Sequence, residues 1–302
     1  MAENPKYHES VLLPESIEGL NIKEDGVYVD LTFGNGGHSN AILEKLSSAG
    51  KLIAFDQDED AEKNKIVDNR LIFVRQNFKY LKAYLKLYNI EKIDGVLGDW
   101  GVASHQFDTP DRGFSIRFDG PLDMRMNQEA ELTAAKVLNE YDGETLIHIF
   151  KTYGEVKQAY RIVKQIVEQR NVSTFKTINE FKTVLSPFLG RNPNKDLAKI
   201  FQALRIEVNQ ELEVLKEVIE QVAELLNTKG RFVSIAYHSL EDRLVKNFIR
   251  AGNFSGIPKK DIFGHFQTPL KAINRKVIVP SEEEIARNSR SRSAKLRIAE
   301  KN

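Results

Sequence analysis

The sequence predicts an α/β fold in which a mostly parallel sheet, flanked by helices, is interrupted by a mostly helical insertion. Three observations carry that expectation. Short β-rich runs alternate with helical patterns through the first hundred residues, the signature of parallel strands joined by crossover helices. From about Thr133 to Leu226 almost every segment reads as helix, and at Gly230 a strand returns with RFVSIAY. A sheet that begins before Ser104 and resumes after Gly230 implies a discontinuous domain, residues 1–103 with 212–302, around an insertion at 104–211. The insertion leaves from the carboxyl end of the fourth strand, the edge where open α/β sheets bind ligands, so it is expected to overhang the site.

Taken in order, strands are placed at Gly26 to Thr32, Lys51 to Asp56, Leu71 to Gln76 and Ile93 to Gly98. A helix over Ser39 to Ser47 follows the first, with Ala41, Ile42 and Leu46 at helical spacing. Another separates the third and fourth strands, where Leu81, Leu85 and Tyr88 share a face. Ser104 to Met126 is a loop dense in Asp, Arg, Gly and Pro, too long for a plain connection, and such loops usually carry function. Pro187 and Pro193 bracket a break in the helical stretch around Gly190. After the returning strand, Ser239-Leu240-Glu241-Asp242 reads as a capping box opening a helix with Leu244, Val245, Phe248 and Ile249 on one side. Ala272 to Val279 and Ala294 to Ile298 are the closing strand candidates.

The 302 residues include no cysteine, which excludes a disulfide framework, a Cys-ligated metal site and a thiol nucleophile. No apolar run approaches the ~18 residues of a membrane span. The opening MAENPKYHESVLL lacks a basic segment followed by a hydrophobic one, and a cytoplasmic protein with no membrane partner is expected. The net charge of +1 conceals a split: −10 over residues 1–150, +7 over 151–205, −5 over 206–242 and +9 over 243–302. Two basic blocks inside a neutral total fit an anionic partner such as nucleic acid; they also fit plain solvated helices and a tail.

The strongest local signal is Val27-Tyr28-Val29-Asp30-Leu31-Thr32-Phe33-Gly34-Asn35-Gly36-Gly37-His38-Ser39, a strand running through a glycine turn into a helix. Glycines let the backbone turn sharply and approach a ligand, and a helix start offers N–H groups to an anionic group. Asp56 ends the next strand, where an acid can accept hydrogen bonds from both ribose hydroxyls. Together they indicate a cofactor bearing a nucleoside. The third position of the dinucleotide fingerprint falls on Ser39 instead of Gly, which disfavours NAD and suits a donor without a pyrophosphate, such as S-adenosyl-L-methionine.

Asp99, ending the fourth strand in Gly98-Asp99-Trp100-Gly101-Val102-Ala103-Ser104-His105-Gln106, is placed to touch cofactor or substrate. Trp100 could stack on a base or pack in the core. His38 could bond the cofactor or merely open a helix, and His238 at the end of the fifth strand could face the ligand edge or be structural. His105, His148 and His265 show no metal-like spacing with carboxylates, and no metal is expected.

HESVLLPESIEGL, VDLTFGNGGHS, DGVLGDWGVASHQ, DRGFSIRFDGPLDMRM, YGEVKQAYRIVKQIVEQR, FQALRIEVN, YHSLEDRLVKNF and NSRSRSAKLRIAE together resemble the RsmH (MraW) methyltransferases, in order from His8 to Glu300. The resemblance implies a Rossmann-like class I methyltransferase sheet, mostly parallel with an antiparallel C-terminal strand. It also implies methylation of the exocyclic N4 of a cytidine in the decoding centre of bacterial 16S rRNA, within the small ribosomal subunit, with S-adenosyl-L-methionine as donor. Cofactor contacts are implied at Gly36, Gly37, His38, Asp56, Phe78, Asp99 and Gln106. Asp99 is the first candidate for the group that accepts an amine proton, and His238 the second. Arg112, Arg125, Arg205, Arg287, Arg290 and Arg292 are assigned to substrate RNA.

Three departures from the family pattern stand out. Trp100, Ala103 and His105 replace the usual Leu, Ser and Pro; Asn194 to Lys199 replaces a His-Pro-Ala-Thr-Arg segment; and Tyr237 stands where the family has Phe. The rival readings are a nicotinamide-dependent oxidoreductase and a non-catalytic rRNA-binding assembly factor. The latter would carry a ruined cofactor loop, and this loop is intact.

Overall fold

The computed structural model describes residues 10–258 and 268–302, so His8, Glu9 and His265 lie outside the described residues. Two compact units are present, Met1–Gly101 with Glu213–Asn302, and Val102–Leu212.

The first unit opens with α1 (Leu13–Leu20), β1 (Val27–Asp30), α2 (Gly37–Leu43), β2 (Lys51–Asp56), α3 (Glu59–Glu62), β3 (Leu71–Arg75), α4 (Leu81–Leu87) and β4 (Ile93–Asp99). The second contains α5 (Ser104–Asp108), α6 (Ala134–Glu140), α7 (Gly143–Thr152), α8 (Ala159–Arg170), α9 (Ile178–Leu185) and α10 (Pro193–Asn209). Along α11 (Glu211–Leu225) the first unit resumes, with β5 (Leu226–Ala236), α12 (Ser239–Ala251), β6 (Leu270–Ala272), α13 (Glu282–Arg287) and β7 (Lys295–Lys301).

The strands form one sheet in the order β3-β2-β1-β4-β5-β7-β6. Neighbours from β3 to β5 are parallel, and β7 runs antiparallel to both β5 and β6. This is the mostly parallel sheet with an antiparallel C-terminal strand that the resemblance implies. Val29, Leu31, Ile53, Phe55 and Val96 point to one face and pack with Val218 and Val222 of α11 and Phe248 of α12. Tyr28, Leu52, Ala54, Leu97 and Val233 point to the other and pack with Leu20 of α1 and Ile42 of α2. With both faces covered, alternate residues find a core on either side, which explains near-continuous apolar strands. Each fully buried aliphatic or aromatic side chain contributes about 1.5–3 kcal/mol. Strand order reverses between β1 and β4, which brings the carboxyl ends of β1, β2 and β4 together at a topological switch point.

Three local expectations are corrected. The candidate strand Ala272 to Val279 is not continuous: Asn274 inserts its side chain into the ladder, accepting from the Ile298 N–H at 2.7 Å and donating to the Leu296 carbonyl at 3.3 Å. Pairing resumes only as an isolated bridge between Ile278 and Leu296. The cap of α12 is His238 instead of Ser239, because the His238 ring accepts from the Glu241 N–H while Glu241 reaches back to the N–H of His238. Finally, α2 starts at Gly37, two residues ahead of the expected Ser39.

In the second unit, Phe150, Ile166, Phe181 and Leu204 are fully or almost fully buried at the centre of an all-helical core. The long loop is bolted to that core. Asn209 of α10 accepts from the Met126 N–H and donates to the Met124 carbonyl, both at 2.8 Å, and Pro121 bridges to Thr177. Here three arginines assigned to RNA have other work. Arg112 is 4% exposed and donates to the carbonyls of Arg125 and Met126 at 3.0 and 3.1 Å. Arg125 grips Asp123 through two nitrogens and donates to the carbonyls of Gln128 and Ala130. Arg205 makes a two-pronged pair with Glu211 at 2.7 and 2.8 Å. A planar guanidinium is suited to such forks, and each of these side chains holds the chain around it.

Candidate cofactor and catalytic site

Three aspartates close three strands at the switch point: Asp30 on β1, Asp56 on β2 and Asp99 on β4. Their environments divide the labour. Asp30 is wholly buried and accepts from the Thr32 N–H at 3.0 Å and the Ser39 hydroxyl at 2.7 Å, tying β1 to the start of α2. Burial pushes its carboxyl up. Sequence reasoning did not single it out, although its place just before the glycine turn was the available signal.

Between β1 and α2 the chain turns through Gly34 and Gly36, at φ of 53° and 78°. A Cβ at Gly36 would come within 2.9 Å of the Phe33 ring, so both conformation and space select glycine. Asp56 holds this turn from the side. One of its oxygens accepts from the Gly34 N–H at 2.8 Å and the other from the Asp58 N–H at 2.9 Å. A carboxylate offers about four acceptor positions, so bracing the loop is compatible with taking ribose hydroxyls.

Asp99 is the chemically distinctive group. Its N–H donates to the Thr32 hydroxyl at 2.8 Å, and one carboxylate oxygen accepts from the Tyr237 hydroxyl at 2.8 Å. The other oxygen lies 4.0 Å from Nδ1 of His38. Burial pushes the Asp99 carboxyl up to about 6, against the opposing pull of His38 and the Tyr237 hydroxyl, while Asp30 and Glu241 push the same way as burial. A carboxylate held there is a better proton acceptor near neutral pH than an ordinary one. Tyr237 is itself buried and its phenol lies well above the usual range, so at neutral pH it donates. The His38 ring is 5% exposed, with Nε2 3.1 Å from the Val11 carbonyl, which places the ring hydrogen on Nε2 and leaves Nδ1 facing Asp99.

The remaining candidates fall in different places. His238 is a cap, as described above; Nδ1 accepts a backbone N–H at 3.3 Å and Nε2 lies 3.1 Å from a Glu241 oxygen. Nδ1 is thus committed to the backbone, while Nε2 faces Glu241 without a hydrogen bond. Phe78 begins the turn after β3, half-buried, its ring centroid 5.4 Å from that of Trp100. Trp100 is packing: it is 4% exposed, its indole N–H donates to the Ser234 hydroxyl at 2.7 Å, and a Cβ at Gly98 would sit 2.2 Å from its ring. Gln106 belongs to the second unit, where it is buried and accepts from the Ala103 N–H at the start of α5. Arg287 and Arg292 are exposed and Arg290 half-buried, on and just after α13.

Comparison with known proteins decides the family. The model of the MraW methylase family matches residues 5–302. The chain belongs to the MraW methylase family. Among curated relatives, the ribosomal RNA small subunit methyltransferase H of Bacteroides thetaiotaomicron is 55% identical over 296 residues, covering 98% of this chain and 97% of that protein. The protein of the same name from Bacteroides fragilis is 54% identical over 300 residues, 99% of each chain. That of Flavobacterium johnsoniae is 53% identical over 302 residues, 100% of each. Membership in a methylase family replaces the nicotinamide reading. Among the described residues no helix is long and apolar enough to cross a membrane.

In this MraW methylase the hydrogen bond from the Tyr237 hydroxyl to Asp99 makes a prediction. Removing a donor to the carboxylate raises the acid's pKa further, so Tyr237→Phe should move the acid limb of the rate profile to higher pH. A hydrogen bond to a charged group is worth about 1.5–3 kcal/mol, so the displacement should be about 1–2 pH units. Single-turnover methyl transfer across pH checks this, and an unmoved limb would remove Tyr237 from the account.

Proposed function

We propose that the chain transfers the methyl group of S-adenosyl-L-methionine to the exocyclic N4 of a cytidine in the decoding centre of 16S rRNA, within the small ribosomal subunit. The observation that carries the reading is Asp99: a carboxyl raised to about 6, held by Tyr237, at the switch point shared with the glycine turn and Asp56. The names of the curated relatives support small-subunit RNA as the substrate class, and the DRGFS and GPLDMRM blocks support the cytosine N4 position through the family they resemble.

S-adenosyl-L-methionine supplies a methyl already activated by its sulfonium, and the residues present fit it, with Asp56 for the ribose and the turn at Gly36 and Gly37 beside it. The chain's residues do the rest. Cytosine N4 is a poor nucleophile because its lone pair is delocalised into the ring, so catalysis rests on holding it in line with the methyl, worth about 7–11 kcal/mol at the limit. Asp99 favours the rehybridised nitrogen by accepting one of its protons as the C–N bond forms. The base must leave any stack to be reached, so a flipped or looped-out cytidine is the substrate form.

The test is mass spectrometry of 16S rRNA fragments after small subunits from a strain lacking the gene are incubated with protein and donor. One added methyl at N4 of one decoding-centre cytidine is expected; a methyl elsewhere, or none, overturns the reading. A further prediction concerns the tail. Neutralising Arg287, Arg290 and Arg292 together should weaken RNA binding and flatten its salt dependence by about 0.7 for each phosphate released, with cofactor affinity unchanged. If affinity and slope both survive, the tail is a solvated end of the sheet.

A further inference from the structure

We infer that the cleft between the starts of α8 and α10 is a second RNA-binding site, which takes the phosphodiester backbone of an rRNA segment away from the target cytidine. This rests on the rRNA reading above but concerns different residues.

The cleft lies wholly within the second unit and has a volume of about 410 Å³. That is within the range of about 300–1,000 Å³ typical of ligand sites. Its floor is apolar, with Ile162 and Ile200 buried beneath it. Its rim is cationic: Lys157, Arg191, Lys195 and Lys199 all line it. Lys195 and Lys199 are four apart on α10 and so share a helix face.

Several basic side chains elsewhere are engaged: Lys82 pairs with Glu224, Arg231 with Glu300, Arg297 with Asp242. No ion pair or side-chain hydrogen bond is made by Lys157, Arg191, Lys195 or Lys199 among the described residues. Two acids, Glu155 and Asp196, also line the cleft, and Asp196 accepts from the Gly190 N–H at 2.8 Å. Four unpaired cations around one concavity repel each other and are stabilised by an anion that bridges them.

Two helices also begin here without side-chain caps, α8 after Gln158 and α10 after Asn192. The helix starts favour an anion without defining the site alone; Pro193 brings no N–H, and those of Lys195 and Asp196 are already donated to the Asn192 carbonyl. The half-buried Phe188 at the cleft wall offers a ring face to a base of the same strand. A chain of phosphates spaced along a backbone satisfies separated cations and an apolar floor together; a single small anion would satisfy only part of the rim.

The test is the triple variant Lys157→Ala, Arg191→Ala, Lys195→Ala. All three side chains are exposed, so the fold should persist, and unchanged calorimetric binding of S-adenosylhomocysteine verifies it. With small subunits as substrate, KM should rise at least tenfold while kcat at saturation holds. The salt slope for a labelled single-stranded oligoribonucleotide should flatten by about 0.7 for each phosphate no longer held. The charge-retaining variant Lys157→Arg, Arg191→Lys, Lys195→Arg should restore both. If KM and slope are unchanged while the wild type methylates, the cleft is not an RNA site and the proposed function stands. If the wild type methylates no small-subunit RNA, that function fails, and the oligonucleotide slope still decides the cleft. Binding of inorganic phosphate or a mononucleotide that the triple variant loses, with oligonucleotide binding intact, would make the cleft a small-anion site and overturn the proposal.

Discussion

Asp99→Asn is expected to lower the rate of methyl transfer at saturating donor by about 10²-fold or more, within the range of about 10²–10⁴ that proton-transfer assistance supplies. The amide keeps the shape and can still accept from the Tyr237 hydroxyl, but it is a far poorer proton acceptor. Affinity for S-adenosylhomocysteine should change little. Single-turnover assays on small subunits separate chemistry from binding and release. Full recovery of the rate at saturating donor would make Asp99 a cofactor ligand and leave positioning as the whole of catalysis. Stability supplies a control with the opposite sign. A carboxyl whose folded pKa is raised to about 6 contributes stability below its unfolded pKa that is lost as pH rises through about 6. Removing it should therefore raise the melting temperature above pH 6, so a slow variant that melts higher is not a misfolded one.

The second large effect belongs to Asp56→Ala. Two charge-assisted bonds to ribose hydroxyls at about 1.5–3 kcal/mol each set the scale, a loss of roughly 10²–10⁴ in donor affinity. Because Asp56 also accepts from the Gly34 and Asp58 N–H groups, the substitution should loosen the glycine turn as well as remove the ribose contact. Asp56→Asn, which keeps an acceptor oxygen, should lose less. Calorimetric titration with S-adenosylhomocysteine measures both variants, and an unchanged dissociation constant for Asp56→Ala would sink the ribose assignment.

The parallel half of the fold was legible because its signals are local. Strand β2 begins and ends at the expected residues, and β1, β3 and β4 differ from expectation by one or two residues at an end. Alternating strands and helices, a glycine turn and acids at strand ends all operate over a few neighbouring residues. What escaped depends on partners remote in the chain. Tyr237 meets Asp99 across 138 positions, and nothing near either residue announces the bond. The partners of Arg112, Arg125 and Arg205 escaped as well, since a sequence alone does not tell a guanidinium in water from one spent on carbonyls or on a carboxylate. His238 was passed over as a cap because short polar side chains are the usual choice and Ser239 stood beside it. For α13 the signal was present and unread: Ser281 accepts from the Glu284 N–H in a Ser-x-x-Glu start.

The sheet order has a consequence for how the protein is born. Strand β7 is made after every other strand of the sheet, yet it lies inside the sheet between β5 and β6 and pairs with β5 from Arg231 to Ala236. The second unit, by contrast, is one uninterrupted stretch, Val102–Leu212. During synthesis it has all its residues while the strands destined for the other unit still wait for partners. At about 5–20 residues per second, the 90 residues from Glu213 to Asn302 take roughly 5–18 s to make. Early in that interval β4 has an open edge and the apolar faces of β1, β2 and β4 lack the cover of α11 and α12; once β5 is made, its own edge stays open until β7 arrives. A premature stop anywhere between Leu212 and β7 would leave the helical unit whole and the sheet permanently unfinished, so truncated chains are the ones chaperones and proteases should meet.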